Sequence, residues 1–248
     1  MRGDIHRVGP GRLYSQLPIL PIALYTRDVV PALDTIYRDR WLIAVNKPAG
    51  LPAQPDRSGD RSALSLVCDA TTTTVHPVHR IDRPVSGVLV FALDARTAGA
   101  FGTLLADGNA ERTYLALVSG PVEPSSGALC DGIEHDRLTN RSRISPAGER
   151  AELDYRVIAD GDRYTLLRVT LRTGRHHQIR AQLADRGWHI RGDLKYGARR
   201  SQPGGGIGLH AYRIAFDHPW TNARVEVVAE PPDAPVWRSL CAIAGPMG

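Results

Sequence analysis

The feature that most constrains the fold is a nearly unbroken apolar run over residues 85–93, VSGVLVFAL. A short run with this much valine is typical of a strand that is buried in a sheet. Asp94 follows directly and predicts the N-cap of a helix that continues to about residue 106. The run therefore predicts a buried strand with a helix immediately after it.

Strands outnumber helices in the rest of the pattern. A hairpin is predicted over residues 36–45, and single strands over residues 112–118, 151–158, 164–171, 214–216 and 224–228. Helices are predicted over residues 62–69, 178–186 and 233–243. Because strands and helices do not alternate regularly, the pattern favours an α+β domain on a mostly antiparallel, mixed sheet with flanking helices.

The chain is expected to form one domain after an N-terminal arm. Residues 1–34 contain several prolines and glycines and no clear hydrophobic period, whereas residues 35–248 show neither a repeat nor a linker. No stretch approaches the roughly 20 apolar residues that span a bilayer. Cys68, Cys130 and Cys241 form no C-x-x-C pair, which disfavours disulfides and a zinc knuckle and indicates a soluble, cytoplasmic protein.

Positive charge is concentrated in one segment. Residues 172–200 contain eight Lys or Arg and two Asp, a net charge of +6, whereas the whole chain carries +5. A solvated surface would normally mix both signs, so we expect this segment to meet an anionic partner, with phosphate the usual candidate. The common nucleotide-binding and hydrolase motifs, such as G-x-x-x-x-G-K-[ST], H-E-x-x-H and G-x-S-x-G, are missing.

Residues 76–84 (HPVHRIDRP) lie directly before the apolar run and contain a candidate reactive group. Asp82 stands in a loop at the start of a buried strand, where a rigid scaffold commonly presents functional side chains. Arg80 and Arg83 would favour its ionised form, which suits a nucleophile or a base. The alternatives are a surface ion pair and a metal site built from His76, His79 and Asp82.

Two further candidates come later in the chain. Residues 172–180 (RTGRHHQIR) place a basic, hydrogen-bonding set at the start of a predicted helix, where anions bind; a basic turn without a ligand is the alternative. Tyr114 lies in an apolar strand, and taken alone it is better explained as a core residue. Residues 208–211 and 217–219 are likewise best explained as strand and turn.

Taken together, these segments resemble one family, the RluA-type RNA pseudouridine synthases. HRIDRPVSG resembles the family's H-R-L-D-x-x-T-S-G, and NKPAGL, RTYLALVSG, TGRHHQIR, GDLKYG and LHA…FDHP resemble five further family blocks in the same order. These blocks occupy residues 79–87, 46–51, 112–120, 173–180, 192–197 and 209–219. The resemblance implies a single catalytic domain over residues 35–248 with a central cleft. We expect no S4-like RNA-binding domain before it, because residues 1–34 are too few to hold one.

The resemblance also implies roles for individual residues. Asp82 takes the catalytic position, Tyr114 packs against the target base, and Arg180 pairs with the aspartate. Ile179 resembles the apolar lid beneath the base, and Arg80 resembles the residue that enters the space left by a flipped nucleotide. The remaining implied RNA contacts are basic or polar residues of the same blocks: Arg83, Arg175, His177 and Lys195.

The implied activity is isomerisation of uridine in rRNA or tRNA to pseudouridine, without a cofactor or metal. The implied partner is RNA and not DNA or a membrane, and the enzyme is expected to be a monomer. Asp82 could attack the base, attack the sugar or remove a sugar proton. Two other classes stay open: a catalytically silent RNA-binding module, and a metal-dependent hydrolase using His76, His79 and Asp82. Departures that bear on substrate choice are Val85, Gln182 and the pair Trp188-His189.

Overall fold

A computed structural model describes residues 33–246 of the chain. The predicted N-terminal arm, residues 1–34, therefore lies almost entirely outside the described residues. The described part contains eleven strands and four α-helices, with two short 3₁₀ helices at Leu194–Tyr196 and Pro203–Gly205. In chain order the elements are β1 (Asp34–Arg38), β2 (Leu42–Lys47), α1 (Ala63–Thr71), β3 (His76–Pro77), β4 (Ser86–Ala92), α2 (Ala95–Ala106), β5 (Ala110–Ser119), β6 (Ser126–Asp136), β7 (Arg141–Ile144), β8 (Glu149–Asp160), β9 (Tyr164–Leu171), α3 (Gln178–Asp185), β10 (Leu209–Asp217), β11 (Arg224–Val228) and α4 (Pro235–Ala244).

The strands form one mixed sheet. Its order is β1-β2-β4-β10-β5-β9-β8-β6-β7, with β3 added to β4 and β11 to β10. Every pairing is antiparallel except that of β4 with β10, which is parallel. The prediction of an α+β fold on a mostly antiparallel sheet is confirmed.

Strand β4 explains the apolar run. Leu89 and Phe91 pack into the core on one face of the sheet, whereas Val88 and Val90 pack into the core on the other. Because both faces are covered, the strand needs apolar residues at every position and shows no alternation. Asp94 ends the run as predicted: its carboxylate accepts a hydrogen bond of 2.7 Å from the Thr97 backbone N–H and caps α2.

The sequence pattern does not predict the hairpin of β6 and β7. Strand β6 leaves most of its side chains exposed or half-buried, so its residues carry no alternating apolar pattern to detect. Strand β10 is longer than predicted, since it begins at Leu209 and not at residue 214. The sequence predicts strand or turn character for residues 208–211 and a definite strand only from residue 214.

Three strands meet at the place where the predicted site residues lie. Gly87 of β4 and Tyr114 of β5 both pair with Ala211 of β10, so the three residues lie abreast across the sheet. Gly87 has a φ of +113°, and a Cβ there would overlap the Ala211 backbone. Only glycine permits this close approach of β4 and β10. Within residues 33–246, no helix is long and apolar enough to cross a membrane.

Candidate catalytic site

Seven of the nine predicted site residues line one cleft of about 250 Å³, whereas Arg83 and Lys195 lie outside its lining. It is formed by the loop before β4, the first half of β5 and the start of α3. Its lining includes Asp82, Tyr114, Ile179 and Arg180, which come from these three parts of the chain. The cleft and its lining agree with what the resemblance implies.

The loop that carries Asp82 is fastened to the loop after β2. Lys47 is completely buried, and its Nζ donates to the carbonyl oxygens of Pro48, Leu51 and Arg83 at 2.9, 2.8 and 3.2 Å. The Gly50 N–H donates to the same Arg83 carbonyl at 2.8 Å. Burial lowers the pKa of Lys47 to about 7, while the nearby Asp82 carboxylate opposes that shift. The NKPAGL block therefore positions the loop that carries Asp82.

We expect Lys47→Met to lower the free energy of unfolding by about 2 to 4 kcal/mol, because it leaves buried carbonyl oxygens without their donor. Urea unfolding measures the change. Lys195→Met, at the only other lysine, is the matched control: Lys195 is exposed and should change stability by no more than about 0.5 kcal/mol. Equal small losses in both variants would show that Lys47 does not fasten the loop.

Asp82 and Arg180 are paired. Arg180 Nη1 donates to Asp82 Oδ2 at 2.9 Å, although the two residues are 98 positions apart in sequence. The other side of the guanidinium is held by Asp193, through Nε to Oδ2 at 2.7 Å and Nη2 to Oδ1 at 2.8 Å. Burial alone would lower the pKa of Arg180, but the two carboxylates, Asp193 foremost, raise it overall. A permanently charged arginine thus bridges two carboxylates.

His177 approaches Asp82 from the side of α3. Its Nε2 lies 3.5 Å from Asp82 Oδ2, and its Nδ1 lies 2.9 Å from the Tyr196 hydroxyl. That hydroxyl accepts a 2.7 Å hydrogen bond from the Ser142 backbone N–H. Burial, then the positive charge of Arg180, lower the pKa of His177 to about 2, so the imidazole is neutral. A consistent arrangement has Tyr196 donating to Nδ1 and the Nε2–H facing the Asp82 carboxylate.

Tyr114 and Ile179 form the apolar part of the cleft, together with Val85 and Leu209. Tyr114 is buried to 9% exposure, and burial raises the pKa of its hydroxyl to about 12. The phenol is therefore protonated at every physiological pH. Val85 stands where the family block has threonine and adds to this apolar wall.

The basic segment 172–200 is not an open basic face. Four of its eight cations pair with carboxylates: Arg172 with Asp154, Arg175 with Glu149, Arg180 with Asp82 and Asp193, and Arg186 with Asp131 and Asp185. Three of these six partners, Asp131, Glu149 and Asp154, lie on β6 and β8, strands whose placement beside α3 could not be predicted from the sequence. Lys195, Arg199 and Arg200 remain exposed.

The other predicted RNA contacts occupy different environments. Arg80 is exposed at the cleft, as expected of a residue that meets RNA. Arg83 does not line the cleft: its Nε donates to the Gly50 carbonyl at 2.9 Å and its guanidinium pairs with Asp60. His177 is buried behind Asp82 and is not presented to solvent. RNA contacts by Arg83, Arg175, His177 and Lys195 stay predictions.

The geometry gives the metal hypothesis no ligand set in the described chain. His79 Nε2 accepts a 3.0 Å hydrogen bond from the Val90 backbone N–H, so its lone pair is engaged. Burial, then the charge of Arg112, lower the pKa of His79 to about 4. Among residues 33–246, no three His, Cys, Asp or Glu side chains are grouped closely enough to hold a metal ion. His79 anchors the loop that carries Asp82 to β4 instead.

Several site residues were not singled out from the sequence. Lys47, Asp193 and Tyr196 lie inside the matched blocks NKPAGL and GDLKYG, which was the only signal that could have pointed to them. Ser142 lies on β7, outside every block, and nothing in the sequence indicated it. These residues hold Asp82, Arg180 and His177 in place without lining the cleft.

Known proteins are similar to this chain in sequence and in fold. Residues 41–185 match the family model described as RNA pseudouridylate synthase. The chain is 32% identical over 218 residues to the uncharacterized RNA pseudouridine synthase YhcT of Bacillus subtilis, covering 84% of this chain and 71% of that protein. It is 30% identical over 232 residues to tRNA pseudouridine synthase C of Vibrio parahaemolyticus, covering 84% of this chain and 93% of that protein.

A further relative and a solved structure complete the comparison. Ribosomal large subunit pseudouridine synthase D of Xylella fastidiosa is 32% identical over 239 residues, covering 87% of this chain and 70% of that protein. The structure of human RNA pseudouridylate synthase domain containing 1 superimposes with a TM-score of 0.71 at 23% identity, over 83% of this chain and 86% of that one. This chain and the human structure therefore share the same fold.

Proposed function

The chain belongs to the RNA pseudouridylate synthase family, and from that premise we propose that Asp82 is the carboxylate with which it isomerises uridine in RNA. The reaction breaks the bond between N1 of uracil and C1′ of ribose, turns the base, and joins C5 to C1′. C5 then loses its proton, and N1 carries a proton in the product. An ionised carboxylate is required whether it attacks the base, attacks the sugar or removes a sugar proton. No electrons are gained or lost overall.

The observation that carries the proposal is the Asp82–Arg180 pair inside the cleft. Arg180 compensates the charge of the carboxylate when a bound nucleotide excludes water, and a buried charge without a partner is too costly to persist. The contacts of Arg180 and His177 both fall on Oδ2. This leaves Oδ1 to face the substrate. Tyr114 supplies a flat aromatic ring and Ile179 an apolar side chain, and the uracil ring packs against both.

The target uridine must leave its stack to reach Asp82. Arg80 is exposed at the cleft two residues before Asp82, so it is suited to occupy the space that the nucleotide vacates. Arg83, at the other end of the same loop, is held by Gly50 and Asp60. The two arginines should therefore behave differently.

Arg80→Ala is expected to slow single-turnover pseudouridine formation by about 10-fold to 100-fold while weakening RNA binding much less, because the lost side chain stabilises only the flipped state. Arg83→Ala is the matched control and should change the rate by less than threefold or so. Stopped-flow fluorescence of a reporter base beside the target uridine measures flipping directly. Equal effects of the two substitutions would remove Arg80 from this role.

The names of the relatives guide the choice of RNA. Relatives are named for tRNA and for the large ribosomal subunit, so we propose that the substrate is a uridine in a structured tRNA or rRNA. We also propose that the enzyme acts as a monomer in the cytoplasm, since one chain supplies every site residue named here.

The test is a comparison of pseudouridine maps of total tRNA and rRNA from cells with and without the gene, followed by turnover with the purified protein on the unmodified RNA. At least one uridine should lose its modification in the deletion strain and regain it in vitro. A chain that binds that RNA but never forms pseudouridine would instead be a silent RNA-binding module.

A further inference from the structure

Arg112 lines the same cleft as Asp82, but the proposed reaction gives it no role. It lies on β5 and is only partly exposed. Its Nε is buried without a hydrogen-bond partner, and no carboxylate in residues 33–246 lies within ion-pair distance of its guanidinium. Burial lowers the pKa of Arg112, which is consistent with a cation that has lost solvent.

The other arginines of the cleft are satisfied. Arg180 is bonded to two carboxylates, and Arg175 is bonded to Glu149 and to the Arg150 carbonyl. Arg80 is exposed to water. A partly buried guanidinium without a partner is costly in the free protein, so its presence at the cleft points to an anion that arrives with the substrate.

The surroundings of Arg112 leave room for that guanidinium. Gly174 lies against it, and a Cβ at position 174 would come within 2.6 Å of Arg112 Nη1. The glycine of the TGRHHQIR block has no positive φ that would require glycine for its backbone. It is explained instead by the space that the arginine occupies.

The position of Arg112 relative to Tyr114 indicates which anion it meets. The two residues are separated by one position on a regular stretch of β5, so their side chains point to the same face of the sheet, about 6.8 Å apart along the strand. If the uracil of a nucleotide packs on Tyr114, its sugar and phosphate extend along the strand. A uracil oxygen would leave the charge of Arg112 unmatched, whereas a phosphate matches both the charge and the planar fork of donors.

Building on the proposed function, we propose that Arg112 binds a phosphate group of the target nucleotide and so sets the depth at which uracil sits above Asp82. Its contribution is to substrate binding, and it takes no part in bond breaking. Gly174 leaves room for the guanidinium in its present position.

The probes are uridine, uridine 5′-monophosphate and uridine 3′-monophosphate, titrated into the full chain by NMR chemical-shift mapping. The wild type should bind one of the two nucleotides about tenfold more tightly than uridine, as a charge-assisted contact predicts. Arg112→Gln should lose that preference and keep the affinity for uridine, whereas Arg112→Lys should keep part of it. Arg238→Gln, at an exposed arginine of α4, is the charge-matched control and should behave as wild type.

A wild type that binds neither nucleotide better than uridine would overturn the proposal. An Arg112→Gln variant that retains the preference for the nucleotide would also overturn it. So would a variant that loses affinity for uridine and for the nucleotide equally, as the loss of a contact to the base predicts. On the RNA identified by mapping, Arg112→Gln should raise KM with little change in kcat and reduce the salt dependence of binding by about one phosphate contact. Failure of the wild type to form pseudouridine would instead contradict the proposed function, which the nucleotide titration does not measure.

Discussion

Asp82→Asn is expected to abolish pseudouridine formation while leaving the fold and RNA binding close to wild type. The amide has the shape of the carboxylate but is neither basic nor usefully nucleophilic. The fold should tolerate it because Arg180 keeps the bidentate pair with Asp193, so no buried charge loses all of its partners.

The measurement is single-turnover formation of pseudouridine at saturating enzyme, with circular dichroism and an RNA-binding isotherm as checks on the fold. Asp56→Asn is a suitable control, because Asp56 is an exposed carboxylate that pairs with Arg83 outside the cleft. The control should retain full activity. Retention of more than a few per cent of wild-type rate in Asp82→Asn would remove Asp82 from the catalytic role.

Substitutions of Arg180 should have the second largest effect, and they separate charge from geometry. Arg180→Leu leaves Asp193, which is 1% exposed, without its partner, so the free energy of unfolding should fall by about 3 to 5 kcal/mol. Arg180→Lys keeps the positive charge, but one ammonium group cannot hold Asp193 through two bonds and also reach Asp82. This variant should fold and should turn over about 100-fold more slowly, because the carboxylate is no longer held in place.

Urea unfolding and single-turnover kinetics test both statements. Arg172→Leu, which breaks an exposed pair with Asp154, controls for loss of an arginine and should cost no more than about 1 kcal/mol. An Arg180→Lys enzyme with wild-type turnover would show that the paired geometry is dispensable. An Arg180→Leu protein as stable as wild type would show that Asp193 is satisfied in some other way.

The central strand and the helix after it could be predicted because their causes are local in sequence. β4 is apolar at every position since both of its faces are covered, and Asp94 caps the next helix through its own side chain. The pairing of Asp82 with Arg180 could be predicted from the chemistry of the family blocks. Their distance of 2.9 Å agrees with that expectation.

What could not be predicted depends on contacts between distant segments. Three of the carboxylates that pair with cations of residues 172–200 come from β6 and β8, and β6 carries no apolar alternation that would reveal it. The residue type of Lys47 does not indicate that it is buried; its role follows from the three carbonyl oxygens that accept hydrogen bonds from its Nζ. Ser142 joins the site only because its strand lies beside Tyr196. In each case the signal lies in the tertiary arrangement and not in residue type or spacing.

The most direct measurement of the central claim is a crystal structure of the Asp82→Asn protein bound to the RNA that the wild type modifies. We expect an unmodified uridine flipped out of its stack, with its ring against Tyr114 and its glycosidic bond about 3 to 4 Å from the side chain at position 82. A uridine held elsewhere, or a cleft that stays empty while the RNA binds another surface, would contradict it.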